Sequence, residues 1–307
     1  MVASPPVQQL APVSDVRPVG AYLEIGLRLP VVLDYVPGQF AALAVGGPGS
    51  SMLLRRCFSI YRIDGDLLRI VFAAQGGGTR WLAARRPGDP VDVMAPLGTP
   101  FAVPAAGRPT QVTLVGGGYG SAPLFGLAST LRSLGSSVHF VLGAATAGRL
   151  FGVVEARRLG DSVTVTTDDG SAGSKGWVSD VLPTVLATTG SSVVYACGPM
   201  AMLQAVAELA AASGATAQVA VEEAMACGIG VCMTCVLPVV GADGVTRMTR
   251  SCVDGPVFDG AALRWPEAVI GAVPRDAVGA LGAVGLLGVV GSLGDVAALG
   301  ALTRGAP

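Results

Sequence analysis

The chain has 307 residues, more than one typical domain needs, and 51% of them are hydrophobic while 13% are charged, against about 25% charged in an average globular protein. Its formal charge of −1, from 20 basic and 21 acidic side chains, leaves no electrostatic footprint for nucleic acid or an anionic membrane. The opening MVASPPVQQL has neither the basic nor the apolar stretch of an export signal, so the expected compartment is the reducing cytoplasm, where cysteines read as metal ligands or core residues rather than disulfides.

From Val19 to about Pro104, short apolar segments broken by Gly and Pro (AYLEIGLRL, QFAALAV, CFSIYRI, LLRIVFAA, PVDVMAPL) predict a small antiparallel barrel. After Gly107 the pattern alternates. The strands QVTLVGGG, SVHFVLGAA, SVTVTTDD and SVVYACGP are each followed by a helical stretch: APLFGLASTLRSLG, RLFGVVEARRLG, VSDVLPTVL and MAMLQAVAELAAASG. That alternation predicts an α/β domain, a parallel sheet wrapped by helices. A cysteine-bearing segment follows from about Ala215 to Trp265, with a hairpin expected at Gly241-Ala242-Asp243-Gly244. The expected division is a barrel over 1–106, an α/β domain over 107–214, a cysteine domain over 215–266 and a Gly/Ala-rich tail over 267–307. In the tail, Ala277 to Gly294 is uncharged, with a glycine at every third residue. Its 18 residues approach the roughly 17–25 of a membrane helix, but each glycine weakens a helix by about 1 kcal/mol relative to Ala. The composition favours a disordered or partner-docked tail, and no membrane span is expected.

Cys227, Cys232, Cys235 and Cys252 stand as C-GIGV-C-MT-C followed by RSCVDGP, the C-x4-C-x2-C…C spacing of plant-type [2Fe–2S] sites. Two sulfide-bridged irons need four converging thiolates and nearby backbone N–H donors, and Gly228 and Gly230 let the loop curl to supply them. Structural zinc normally takes two short C-x2-C pairs, and only one is present. Cys57 and Cys197 stand apart and read as apolar fillers.

Arg56-Cys57-Phe58-Ser59 offers a guanidinium for a pyrophosphate and a hydroxyl for a flavin nitrogen, read as lying on one face of a strand. Gly76, Gly77, Gly78 and Thr79 precede a helical stretch, a turn suited to phosphate. Gly116, Gly117, Gly118 and Gly120, in VGGGYGSAPL, join a buried strand to a helix, where backbone can approach a dinucleotide; Cys197-Gly198-Pro199 repeats that switch later in the sheet. Arg149 stands where it could hold a 2′-phosphate or face solvent, so NAD and NADP are not separated. His139, the only histidine, falls in an apolar strand and reads as structural.

In this order the motifs resemble the ferredoxin reductase superfamily: RCFS its R-x-Y-S flavin element, with Phe58 at the Tyr position, then GGGT, PLGTPF and CGPM. Within it, EEAMACGIGVCMTC and RSCVDGPVFDG resemble the iron–sulfur, FAD-containing electron-transfer subunit of type B dihydroorotate dehydrogenase, over about Val19 to Trp265. The resemblance implies cluster ligation by Cys227, Cys232, Cys235 and Cys252. It also implies FAD contacts from Arg56, Cys57, Phe58, Ser59, Val71, Phe72, Ala73, Gly78 and Thr79, and NAD bound by the later glycine loops. The chain departs from that pattern at Cys57, where proline is usual, and at Ala73, Thr234 and Tyr119. The implied partner is an FMN-containing catalytic subunit that oxidises dihydroorotate to orotate, in a heterotetramer of two each. Electrons would pass through the [2Fe–2S] cluster and FAD to NAD+, with no catalytic acid or base on this chain. The alternatives are a ferredoxin–NAD(P) reductase-type subunit of another redox complex and, from another class, a non-enzymatic zinc-binding scaffold.

Overall fold

The computed structural model describes residues 4–47, 49–105 and 108–265, and the expectations for the 267–307 tail lie outside them. Seven strands form the N-terminal sheet: β1 (Val7–Val19), β2 (Tyr22–Arg28), β3 (Phe40–Leu43), β4 (Arg56–Ser59), β5 (Arg62–Asp64), β6 (Leu67–Phe72) and β7 (Pro90–Leu97). A short helix α1 (Gly77–Ala83) lies between β6 and β7. The strand order is β4-β3-β7-β1-β2-β6-β5, and every pairing is antiparallel.

The sequence reading starts this sheet at Val19, whereas the structure starts it at β1. Two prolines and a polar, irregular pattern disguise that strand, because proline cannot donate to a ladder. Its Val7–Pro12 half pairs with β7 and its Val13–Val19 half with β2, with an irregularity between Val13 and Asp15. The bulge bends one strand from one partner to the other, which curls the sheet around a single core. Ile25, Leu27, Leu43, Ile60, Leu68, Ile70 and Phe72 fill that core, almost wholly buried.

The second sheet alternates strand and helix: β8 (Gln111–Gly117), α2 (Ala122–Ser133), β9 (Ser137–Ala144), α3 (Val153–Leu159), β10 (Ser162–Thr167), β11 (Ser174–Lys175), α4 (Val178–Thr189), β12 (Val193–Cys197) and α5 (Met200–Ala212). The strand β13 (Thr216–Ala220) then extends it, parallel to β12. The expected helix from Arg149 is shorter, since Phe151 turns into the core before α3 begins. The chain then leaves for the cysteine loop and a hairpin of β14 (Val236–Val240) and β15 (Thr246–Arg250), and returns as β16 (Val257–Asp259), antiparallel to β13. The sheet order is β11-β10-β9-β8-β12-β13-β16, so the cysteine segment is anchored at both ends to one sheet edge.

The two sheets meet across an aromatic seam. Tyr61 lies edge-on to Phe125 and Phe151 at 6.1 and 5.7 Å, and its hydroxyl donates to Glu155 of α3. Tyr22 donates to the carbonyl of Arg149 at 2.7 Å. Buried aromatic pairs with satisfied hydroxyls hold such a boundary in one geometry. Among the described residues no helix is long and apolar enough to cross a membrane.

Candidate redox site

The edge strand β4 is where the flavin elements meet. Arg56 reaches towards the start of α1: a Cβ on Gly78 would lie 3.1 Å from Arg56 Nε, so only glycine admits the guanidinium so closely. Neighbouring Arg55 forms the ion pair with Asp92, at 2.8 Å. Arg56 has only the carbonyls of Leu54 and Arg55 as acceptors, and no carboxylate partner among the described residues. An unpaired guanidinium beside a glycine turn suits a diphosphate. Thr79 accepts from the backbone amides of Gln75 and Gly76 at 3.1 and 3.0 Å, which fixes that turn. Phe58 packs at the mouth of the barrel core, 5.9 Å from Phe72.

The expectation that Arg56 and Ser59 share a face does not hold: side chains alternate along a strand, so Ser59 lies with Cys57 and Arg56 with Phe58. The Phe72 and Val71 side chains are spent elsewhere, in the barrel core and in the aromatic seam. Ala73 packs at that seam's margin. Any contact of Val71 or Phe72 with a flavin is therefore through backbone.

The nucleotide loops face each other at the carboxyl ends of β8 and β12, where Gly116 and Cys197 are register partners. A Cβ on Gly117 would stand 2.9 Å from both Met202 Sδ and Pro199 Cδ, so the loops close on one another only with glycine there. Gly120 and Gly198 line the same junction, whereas Gly118 faces the Tyr22 hydroxyl, and Tyr119 packs tilted on Tyr22 at 5.0 Å. Arg149 is exposed, and its backbone rather than its guanidinium is held by Tyr22. His139 is bonded at both ring nitrogens, to Ser162 and Gln111, in keeping with a structural role.

One residue here escaped the sequence reading. Glu222, just after β13, is exposed to solvent by surface area, yet the protein packed around it pushes its carboxyl up. Its charge in turn raises the Tyr119 hydroxyl and the Cys197 thiol, both already raised by their own burial. The sequence offered no signal for it beyond its place in the cysteine motif.

The cysteine loop runs from Ala226 into β14. Gly228 (φ 73°) and Gly230 (φ 83°) turn through left-handed backbone, as does Met233 (φ 59°), and the curl brings the Ile229 amide to Cys227 Sγ at 3.4 Å. The four thiols come as two contacting pairs, Cys227 with Cys232 and Cys235 with Cys252. Buried Ser251 clips the second pair, its amide and hydroxyl both donating to the Cys235 carbonyl, at 3.0 and 2.9 Å. Thr234 donates its hydroxyl and its amide to Cys232, and these contacts, with those from Cys227, lower its thiol to about 6.

Among the described residues no three His, Cys, Asp or Glu side chains converge closely enough to hold a single metal ion. Two pairs with inward-turned amides fit two irons better than one tetrahedral zinc. Around exposed Cys232 the surface is apolar: Ile229, Val231, Met233 and Val253 are 46%, 74%, 54% and 40% exposed.

An antiparallel flavin-type barrel, a parallel nucleotide-type sheet and a paired-thiol loop on its edge together define an iron–sulfur flavoprotein reductase of the ferredoxin-reductase type. Residues 222–264 match the iron–sulfur cluster binding domain of dihydroorotate dehydrogenase B. The electron transfer subunit of dihydroorotate dehydrogenase B (NAD(+)) from Geobacillus kaustophilus is 40% identical over 224 residues, 72% of this chain and 84% of that one. Its counterpart from Fusobacterium nucleatum is 37% identical over 226 residues, with the same coverage. A solved NADH-dependent reduced ferredoxin-NADP oxidoreductase superposes with a TM-score of 0.73 at 30% identity, over 84% of this chain and 90% of that chain. The chain belongs to the family of dihydroorotate dehydrogenase B electron transfer subunits.

Proposed function

We propose that this chain passes electrons from a dihydroorotate-oxidising partner to NAD+ in pyrimidine biosynthesis. The observation that carries the reading is the contact between the paired-thiol loop and the flavin strand: Cys235 and Cys252 pack in one apolar group with Cys57 of β4. When bound, the cofactors supply the electron chemistry, with a cluster for single electrons, nicotinamide for pairs and FAD converting between them.

Each element of the chain then has a task. Cys227, Cys232, Cys235 and Cys252 hold the [2Fe–2S] cluster, and Arg56 with the Gly78–Thr79 turn holds the FAD diphosphate. The loops Gly116–Gly118 and Cys197–Pro199 receive NAD. No residue is assigned the removal of a carbon-bound proton, so that step falls to the partner. The apolar rim of Ile229, Val231, Met233 and Val253 is the face offered to it. We take that partner to be an FMN-containing catalytic subunit, two of each chain assembling in the cytoplasm. The proposed division at 106, 214 and 266 follows the same tasks, although β13 and β16, beyond 214, belong to the second sheet.

The test is reconstitution under anaerobic conditions. This chain with the catalytic subunit should couple dihydroorotate oxidation to NAD+ reduction, and neither chain should do so alone. The reductase at 30% identity favours one second reading, a ferredoxin–NAD(P) reductase-type subunit. Electron transfer from NADH to ferredoxin, with no dihydroorotate activity, would establish it instead.

A further inference from the structure

Cys57 lies outside the spacing of the other four cysteines, on the strand that carries the flavin elements. It is on β4 between Arg56 and Phe58, paired with Ala42 of β3, but its side chain points away from both neighbours. A Cβ on Gly228 would lie 3.2 Å from Cys57 Sγ, 3.5 Å from Ala42 Cβ and 3.6 Å from Phe40 Cε2. Phe40, Ala42 and Cys57 thus form the seat on which the first turn of the cysteine loop rests.

The surroundings of this thiol narrow what it can do. Its group consists of Phe40, Ala42, Leu97, Met94, Met225 and two ligand cysteines, Cys235 and Cys252. Apart from backbone, the polar atoms in that group are sulfurs. Cys57 makes no hydrogen bond to oxygen or nitrogen among the described residues, and Cys252, Cys227 and Cys235, with the Arg55 guanidinium opposing them, lie close enough to act on it electrostatically. A thiol is a weak donor, and hydrogen bonds to cluster sulfurs are one of the levers by which a protein sets a cluster's potential.

We propose that Cys57 is a positioning residue for the cluster: not a ligand, but an S–H donor towards the sulfur-bearing group held by Cys227, Cys232, Cys235 and Cys252. It ties that group to the strand carrying the flavin contacts. A donor aimed at these sulfurs stabilises the more negative, reduced state and so raises the reduction potential. The inference rests on the cluster reading above.

The test uses the full chain purified without air, as wild type, Cys57→Ala and Cys57→Ser. Iron and sulfide content, the EPR spectrum of the reduced cluster, its redox titration and FAD occupancy are measured on each. All three should hold about two irons. Cys57→Ala should titrate at a lower potential with shifted EPR features. The electron distribution between cluster and FAD should move by roughly two- to tenfold towards FAD, the worth of one modest hydrogen bond. Cys57→Ser keeps a donor and should return towards wild type. An iron-loaded Cys57→Ala protein with wild-type potential and EPR spectrum overturns the proposal. Loss of iron in both variants also overturns it, by making Cys57 a ligand. A wild-type chain without iron or sulfide would instead refute the cluster reading itself.

Discussion

Ser251 holds the Cys235 carbonyl twice, through its amide at 3.0 Å and its hydroxyl at 2.9 Å, in a site with no solvent exposure. The contact fixes Cys252, the proposed fourth ligand, against the loop that carries the other three thiols. Replacing Ser251 by Ala removes one of the two bonds and leaves the carbonyl satisfied by the amide. The cost is about 0.5–1.5 kcal/mol, enough to loosen the cage without abolishing it. Ser251→Ala should assemble its cluster but surrender iron to a chelator several times faster than wild type. Equal release rates would show that the hydroxyl does not matter.

The flavin clamp makes a separate claim. Arg56 has no carboxylate partner among the described residues, whereas Arg55 is paired with Asp92. Losing a charge-assisted contact to a diphosphate costs roughly 1.5–3 kcal/mol, a ten- to hundredfold weaker cofactor. Arg56→Ala should therefore shed FAD on dilution, followed by flavin fluorescence. Arg55→Ala should weaken the barrel and leave FAD affinity near wild type. If Arg55→Ala loses the flavin and Arg56→Ala keeps it, the two roles are reversed.

Glu222 gives a pH dependence whose sign can be worked out. Burial raises its carboxyl in the folded chain above the unfolded value. The folded state therefore holds more protons than the unfolded one across the window between those two values. Since stability changes with pH in proportion to protons bound unfolded minus folded, it falls as pH rises through that window. The full benefit of the protonated form is present below the unfolded carboxyl range. Tyr119 and Cys197, the groups facing it, stay neutral there because both are shifted upwards. Glu222→Gln, which cannot ionise, should flatten this part of the denaturation profile measured from pH 4 upwards. An unchanged slope would place the carboxylate in free solvent.

How much of this was legible depended on where each signal lay along the chain. The cysteine loop was readable because the spacing of its thiols and the glycines that curl it lie in one short segment. The α/β alternation was readable because each unit is local. β1 was not, since its prolines and glutamines mask a strand that exists only by pairing with two partners, β7 on one side and β2 on the other. The role of Cys57 was hidden for a related reason. Its decisive neighbour is Gly228, 171 positions away, and only folding brings the two together. Val71 and Phe72 are neighbours on β6, but strand alternation sends their side chains into opposite cores, which their place in the chain did not reveal.

The thiol assignment separates ligands from bystanders. Cys232 is an exposed member of the pair with Cys227, while Cys197 is buried at the end of β12, in the other sheet's core. Cys232→Ser should lose the visible spectrum and about two irons per chain, and Cys197→Ser should keep both. Iron analysis of the two proteins, purified without air, decides it.

The same substitution also tests how the chain divides its labour. The cysteine loop packs against β4 on one side and offers an apolar rim to solvent on the other. Electrons arriving from a docked partner must therefore enter by the loop, whereas a small dye can meet the flavin directly. With NADH and an artificial acceptor, the isolated chain should turn over wherever FAD stays bound, and Cys232→Ser should preserve that rate. Dihydroorotate alone should give no turnover, since proton removal from carbon needs a positioned base and the partner has to supply it. With the catalytic subunit added, wild type should reduce NAD+ at the expense of dihydroorotate, and Cys232→Ser should not. Polar substitution of the rim, such as Val231→Asp, should leave the dye reaction intact and weaken coupling through poorer docking. That would locate the fault outside the flavin and nucleotide sites. A cluster-free protein that still couples dihydroorotate to NAD+ at full rate would mean that electrons bypass the loop, and the proposed route would fall.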